Sequence, residues 1–207
     1  YYLLIAVLLC TSTTFAQKGE VIFSFYGGAT LPKYSYVNDG SGADRKIYQG
    51  YTGGINLMVY NISKEVPNIG FGFGANYIQA GGINKSPAIV NAVESKNRIN
   101  YLQGELLMGL KIATFVELQG GLYISKAKNG ESKTTFNDNT VTTTDFKFGT
   151  KETDDFNPTD LGLTFNAFFN ISRVKLGICL HQGLGDIAPQ EKIKIRNEVY
   201  SFVLGFS

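Results

Sequence analysis

The stretch 100–126, NYLQGELLMGLKIATFVELQGGLYISK, constrains the fold more than any other part of the chain. It reads as two strands joined by a tight turn over 109–114, each presenting two unlike faces. In the first strand Leu102, Leu106 and Met108 share one parity, and Gln103 and Glu105 the other. In the second, Val116, Leu118, Leu122 and Ile124 alternate with Glu117, Gln119, Tyr123 and Ser125. Successive side chains of a strand point to opposite faces, so one face is aliphatic and the other carries carboxylates and amides. A strand between lipid and a polar lumen has this composition. A half-buried strand of a soluble sheet alternates in the same way, so the hairpin alone leaves both open.

Six further strands of the same kind accompany it. They are expected over 20–31, 48–60, 69–80, 159–170, 174–183 and 194–206. In 20–31, Val21, Phe23 and Phe25 oppose Ile22, Ser24 and Tyr26, and in 48–60, Tyr51, Ile55, Leu57 and Val59 oppose Thr52, Asn56 and Tyr60. In 69–80, Phe71, Phe73, Ala75 and Tyr77 face one way and Gly70, Gly72, Gly74 and Asn76 the other. Glycine at every second residue makes a poor helix and leaves room for neighbouring side chains to cross a barrel interior. In 159–170, Leu161, Leu163, Phe165, Ala167 and Phe169 oppose Gly162, Thr164, Asn166 and Phe168. In 174–183, Val174, Leu176, Ile178 and Leu180 oppose Lys175, Gly177, Cys179 and His181.

The connections alternate long and short. Residues 32–46, 81–98 (with a helical turn over 88–94), 127–157 and 185–192 are long and polar; 61–68, 109–114 and 171–173 are short. The longest, 127–157, is open to extending its flanking strands. Eight strands with this asymmetry specify an all-β fold, an eight-stranded antiparallel up-and-down transmembrane β-barrel, with long loops outside and turns and termini in the periplasm. The main alternative is a secreted soluble lipocalin-like barrel holding a small apolar ligand, which would put its aliphatic parity inside.

Composition agrees with a barrel. A mean hydropathy of -0.03 is ordinary where only alternate residues meet lipid. Twenty-four glycines, 12 tyrosines and 15 phenylalanines suit twisted strands and interfacial aromatic girdles. The net charge of +2, without a basic stripe, argues against a nucleic-acid partner.

Residues 1–16 read as a secretory signal, with Thr14 and Ala16 at the small cleavage positions, Gln17 as the mature start, and the charged start of the signal expected before Tyr1. Cys10 would mark a lipoprotein, but Leu9 before it fits that processing poorly. The mature barrel, 17–207, then holds one cysteine, Cys179, and no disulfide framework. The last strand places Tyr200, Phe202, Leu204 and Phe206 on one face. A terminal strand of this kind resembles the signal read by barrel assembly machinery, with Tyr200, Phe202 and Phe206 as its aromatic positions.

The segments YLQGELLM (101–108), FVELQGGLYIS (115–125), FNPTDLGLTFNAFF (156–169) and VYSFVLGF (199–206) resemble, in that order, the PorT-like outer membrane β-barrel domain family. That family typically shows a YLEIPLL strand, a glycine-bearing EAGPYLGY-like strand and a DxGL strand opening. Here Gln103 and Gly104 replace Glu-Ile, and Glu105 stands where Pro is common. The resemblance spans nearly the whole mature chain and implies a small barrel in the cell outer membrane, without assigning an activity.

The interior parity collects Gln103, Glu105, Glu117, Gln119, Lys175 and His181, with Asn56, Asn76 and Asn166. An eight-stranded lumen is just wide enough for side chains to fill, so these form a luminal polar core, with Glu105 or Glu117 paired to Lys175 because buried charges need partners. Catalysis at the rim would require a serine beside His181, and no motif supplies one; a lipid hydrolase is therefore a distant third reading. No catalytic residue, metal site or cofactor is expected. Expected partners are outer-membrane lipid and lipopolysaccharide and the barrel assembly machinery. A surface or periplasmic protein partner is left open, with Tyr34, Tyr36, Phe136, Phe146 and Phe148 in the long loops as candidate recognition aromatics.

Overall fold

Alternation of parity builds strands, and the strands close on themselves. The computed structural model describes residues 19–37, 45–61, 68–84, 91–112, 115–189 and 194–207. The signal over 1–16, residues 88–90 of the helical turn expected over 88–94 and the tip of the 109–114 turn lie outside them; the rest of that helical turn is not helix, since 92–94 open β5 and pair with the end of β6. The strands are β1 (Gly19–Val37), β2 (Arg45–Lys46), β3 (Gly50–Asn61), β4 (Asn68–Asn84), β5 (Ala92–Ile112), β6 (Val116–Phe136), β7 (Val141–Asp145), β8 (Thr159–Ile171), β9 (Val174–Gly183) and β10 (Lys194–Phe206).

Eight of them form an antiparallel ring in the order β1-β3-β4-β5-β6-β8-β9-β10, closed by β1 pairing with β10. Each neighbour in the ring is also the next long strand in sequence, so the topology is up-and-down. Stepping from strand to strand through directly paired residues goes from Phe23 to Leu57, Phe73, Leu106, Leu122, Leu163, Gln182 and Glu198, and returns to β1 at Lys33, ten residues beyond the start. That stagger tilts the strands in the way that closure of a barrel requires.

The two parities have opposite fates. Phe23, Phe73, Leu106, Leu122, Phe165, Ile178 and Phe202 are about half exposed on the exterior, while Ser24, Asn56, Gln103, Gln119, Thr164 and Ser201 are buried within. The aliphatic parity thus faces outward, the reverse of what the soluble alternative demands. Its outward run covers 69–77 on β4 and 161–169 on β8. Nine residues at ~3.3 Å each, tilted by ~45°, rise about 21 Å, close to the ~25 Å apolar belt of a membrane barrel. Tyr51 and Tyr77, stacked with centroids 5.6 Å apart, mark its upper edge; Phe25–Phe206 and Phe115–Phe169 pairs lie lower.

Interior space is shared between bulky residues and glycines. A Cβ on Gly70 would stand 2.6 Å from the Tyr60 ring, and one on Gly74 would stand 2.6 Å from Glu105 Oε2. The glycine row of β4 is therefore filled by side chains from β3 and β5. At Gly162 the obstacle is firmer, because a Cβ would strike the Gln182 carbonyl and come within 2.6 Å of the Tyr123 ring. Backbone cannot swing aside, so Gly162→Ala is expected to destabilise the barrel by about 1–3 kcal/mol, seen as a lower urea midpoint of the refolded protein. An unaltered midpoint would show that the wall has slack there.

The strands run farther than their alternation suggests. Residues 32–37, 81–84 and 92–98, expected as connections, are strand, and 127–136 extends β6 as the polar segment 127–157 was open to doing. A register shift at Asn100/Tyr101 marks where the β5–β6 ribbon leaves the ring. Beyond it β2, β4, β5, β6 and β7 make a sheet that stands above the barrel.

Candidate functional site

The lumen holds three stacked polar groups. Lowest, Lys175 Nζ lies 2.7 Å from Glu117 Oε2, with side chains 3% and 0% exposed. Tyr60 donates its hydroxyl to Glu117 Oε1 at 2.6 Å, and Gln119 donates its amide to the same oxygen at 2.7 Å. Lys175 also donates to Ser24 Oγ at 3.0 Å and sits over the Phe168 ring. Asn56 and Asn166 both donate to Gln119 Oε1. Every charge here is neutralised and directed by neutral donors, the condition under which a buried pair is tolerated.

Above it, Glu105 Oε1 accepts from Gln103 at 2.8 Å and lies 2.9 Å from His181 Nε2. Ser125 donates to Gln103 Oε1, and Tyr26 donates to Asn76 Oδ1. Higher still, Asp160 Oδ2 accepts from Tyr123 and Asn197, and Asn197 reaches Tyr101. The Tyr123 ring meets His181 edge-on at 5.9 Å, joining the upper two groups.

All six residues read from the sequence as a polar core, Gln103, Glu105, Glu117, Gln119, Lys175 and His181, thus point inward and are buried. Lys175 takes Glu117, leaving Glu105 to His181. His181 is a core residue; the Ser125 hydroxyl bonds to Gln103, and no serine or threonine hydroxyl bonds to His181 among the described residues. Parity also marked Asp160, which shares a face with Gly162 and Thr164, yet its place in the core was missed. Tyr200, Phe202 and Phe206 face outward along β10, with Phe202 and Phe206 54% and 44% exposed.

The two ends differ. Below, a recess of about 290 Å³ is lined by Glu20, Lys111, Asn170 and Ser172, and reaches up to the Glu117–Lys175 pair. Above, Tyr34, Ile78, Ile99, Tyr101, Phe156, Ile187 and Val199 form an apolar plug, with Phe146 and Phe148 packed against it. Tyr34 stacks on Phe156 at 6.0 Å, and Phe146 meets Phe156 at 4.8 Å. Three of the five loop aromatics left open as candidate recognition groups, Tyr34, Phe146 and Phe148, are thereby used to close the barrel. Phe136 ends β6 half-buried, and Tyr36 contributes its backbone to the β1–β10 ladder.

No protein-family model matches the chain, and no curated protein matches it. Among solved structures, Neisserial surface protein A (NspA) is 11% identical with a TM-score of 0.47, over 90% of this chain and 98% of its own. Ail, the attachment invasion locus protein of Yersinia pestis, is 12% identical with a TM-score of 0.46, over 92% and 99%. The outer membrane protein OprG from Pseudomonas aeruginosa is 14% identical with a TM-score of 0.39, over 93% and 97%.

Proposed function

We propose that this chain is a small β-barrel protein of the cell outer membrane with a structural, adhesive or accessory role and no catalysis. The observation that carries the reading is the apolar belt around all eight strands, set against a lumen of paired charges and amides. Soluble monomers rarely expose contiguous apolar patches beyond a few hundred Å², whereas a closed barrel satisfies its backbone internally and can present such a belt to lipid. A filled lumen under an apolar plug supports anchorage rather than a pore. The sheet above the belt is the part free to meet other molecules.

Lipid and lipopolysaccharide are the partners proposed for the belt and its upper rim. The barrel assembly machinery is the partner proposed for the outward aromatics of β10. A narrower membership, among PorT-like barrels, is supported by the order of the four sequence segments.

Orientation gives a direct test. In a Cys179→Ser background, Thr143→Cys is expected to react with a membrane-impermeant maleimide in intact cells, and Ser172→Cys only after permeabilisation. The opposite pattern, or equal labelling of both, would count against the reading.

A further inference from the structure

The β6–β7 ladder leaves one edge of the protruding sheet open. Phe136 N–H donates to the Thr140 carbonyl and Phe146 N–H to the Gly130 carbonyl. Between those bonds, Thr134 pairs with Thr142 and Ser132 with Thr144. Hydrogen bonding in an antiparallel pair alternates along the strand, so Thr142 and Thr144 turn their amides and carbonyls toward β6. Val141, Thr143 and Asp145 turn theirs away, and no backbone partner meets them among the described residues. All five residues of β7 are exposed. The strand carries no proline or lysine, two of the devices that usually blunt an edge. The outward-turned residues share a face on which they run apolar, hydroxyl, acidic, and Asp145 has no cationic partner among the described residues.

We infer that β7 is a docking edge for an extended segment of another protein, which adds as an antiparallel strand with a basic residue opposite Asp145 and an apolar residue opposite Val141. Backbone hydrogen bonds to Val141, Thr143 and Asp145 supply affinity, and the two side-chain positions supply selectivity. The two positions lie on one face, four residues apart, so the recognised segment carries a basic residue and, four positions later, an apolar one; a Lys-Thr-Thr-Thr-Leu sequence meets that requirement. The sheet that presents the edge is continuous with the barrel wall through β5 and β6, so it is held in place before any partner arrives. This inference rests on the protruding sheet and stands apart from the membrane reading.

The test uses the full barrel in detergent micelles and a fluorescent peptide with a Lys-Thr-Thr-Thr-Leu centre, titrated by anisotropy. Saturable binding is expected. Thr143→Pro deletes an outward amide that the β6 ladder does not use, and should weaken binding about tenfold or more. Asp145→Lys should move the preference to a peptide with Glu in place of Lys. Both variants keep the eight-stranded ring, so their gel mobility before boiling should match the parent. Hydrogen exchange on the unaltered protein provides a second reading: the amides of Val141, Thr143 and Asp145 should gain protection with peptide, whereas those of Thr142 and Thr144 are protected beforehand. No saturable binding, binding indifferent to both substitutions, or no gained protection overturns the proposal. Self-association lost in Thr143→Pro without peptide binding makes the occupant a second copy, and overturns it as well.

Discussion

Lys175→Met is expected to weaken the barrel by about 3–5 kcal/mol, the usual effect of removing one member of a buried ion pair. The methionine keeps most of the length and apolar stem, so packing against Phe168 survives. What is lost is the ammonium 2.7 Å from Glu117 Oε2, in a place where neither side chain meets solvent to any extent. Tyr60 and Gln119 still donate to the carboxylate, but they bring no charge. Adding Glu117→Gln to Lys175→Met should restore a large part of the stability, because exchanging both partners removes the orphaned charge. Urea unfolding of the refolded protein measures both, and an unchanged midpoint in the single variant would contradict the pairing.

Leu122→Arg is the second large effect. Leu122 lies mid-belt on β6, 53% exposed, directly paired with Leu106 and Leu163. Arginine at the midplane of a membrane barrel costs ~2–4 kcal/mol, while an outward charge on a soluble barrel falls within about 0.5 kcal/mol. The variant is expected to insert into lipid vesicles poorly and unfold at lower urea. A neutral outcome would place water where the belt requires lipid.

The ring was legible because each of its strands separates two environments, and a period of two records that separation. Where both faces carry polar side chains the record vanishes. Residues 92–98 (VESKNR in part) carry polar side chains on both faces, and so looked like loop although they are strand, while 127–136, just as polar, was legible only as open to extending its flanking strands. The VTTTD of β7 escaped for the same reason. The polar core was legible from parity, but not the choice between its two glutamates. A clue was present: Lys175 and Glu117 are each the second residue of a strand that follows a short turn, whereas Glu105 lies well along its strand. The plug was out of reach, since Phe156 and Ile187 come from connections without a period and meet Tyr34 only through the fold.

The inside-out barrel is tested most directly by fractionating cells and running the outer-membrane protein on a gel, unboiled and boiled. A closed barrel that keeps its hydrogen bonds in detergent should be found in the outer-membrane fraction and migrate faster before boiling than after. Recovery in the soluble fraction with identical mobility in both lanes would contradict the apolar belt as a lipid-facing surface.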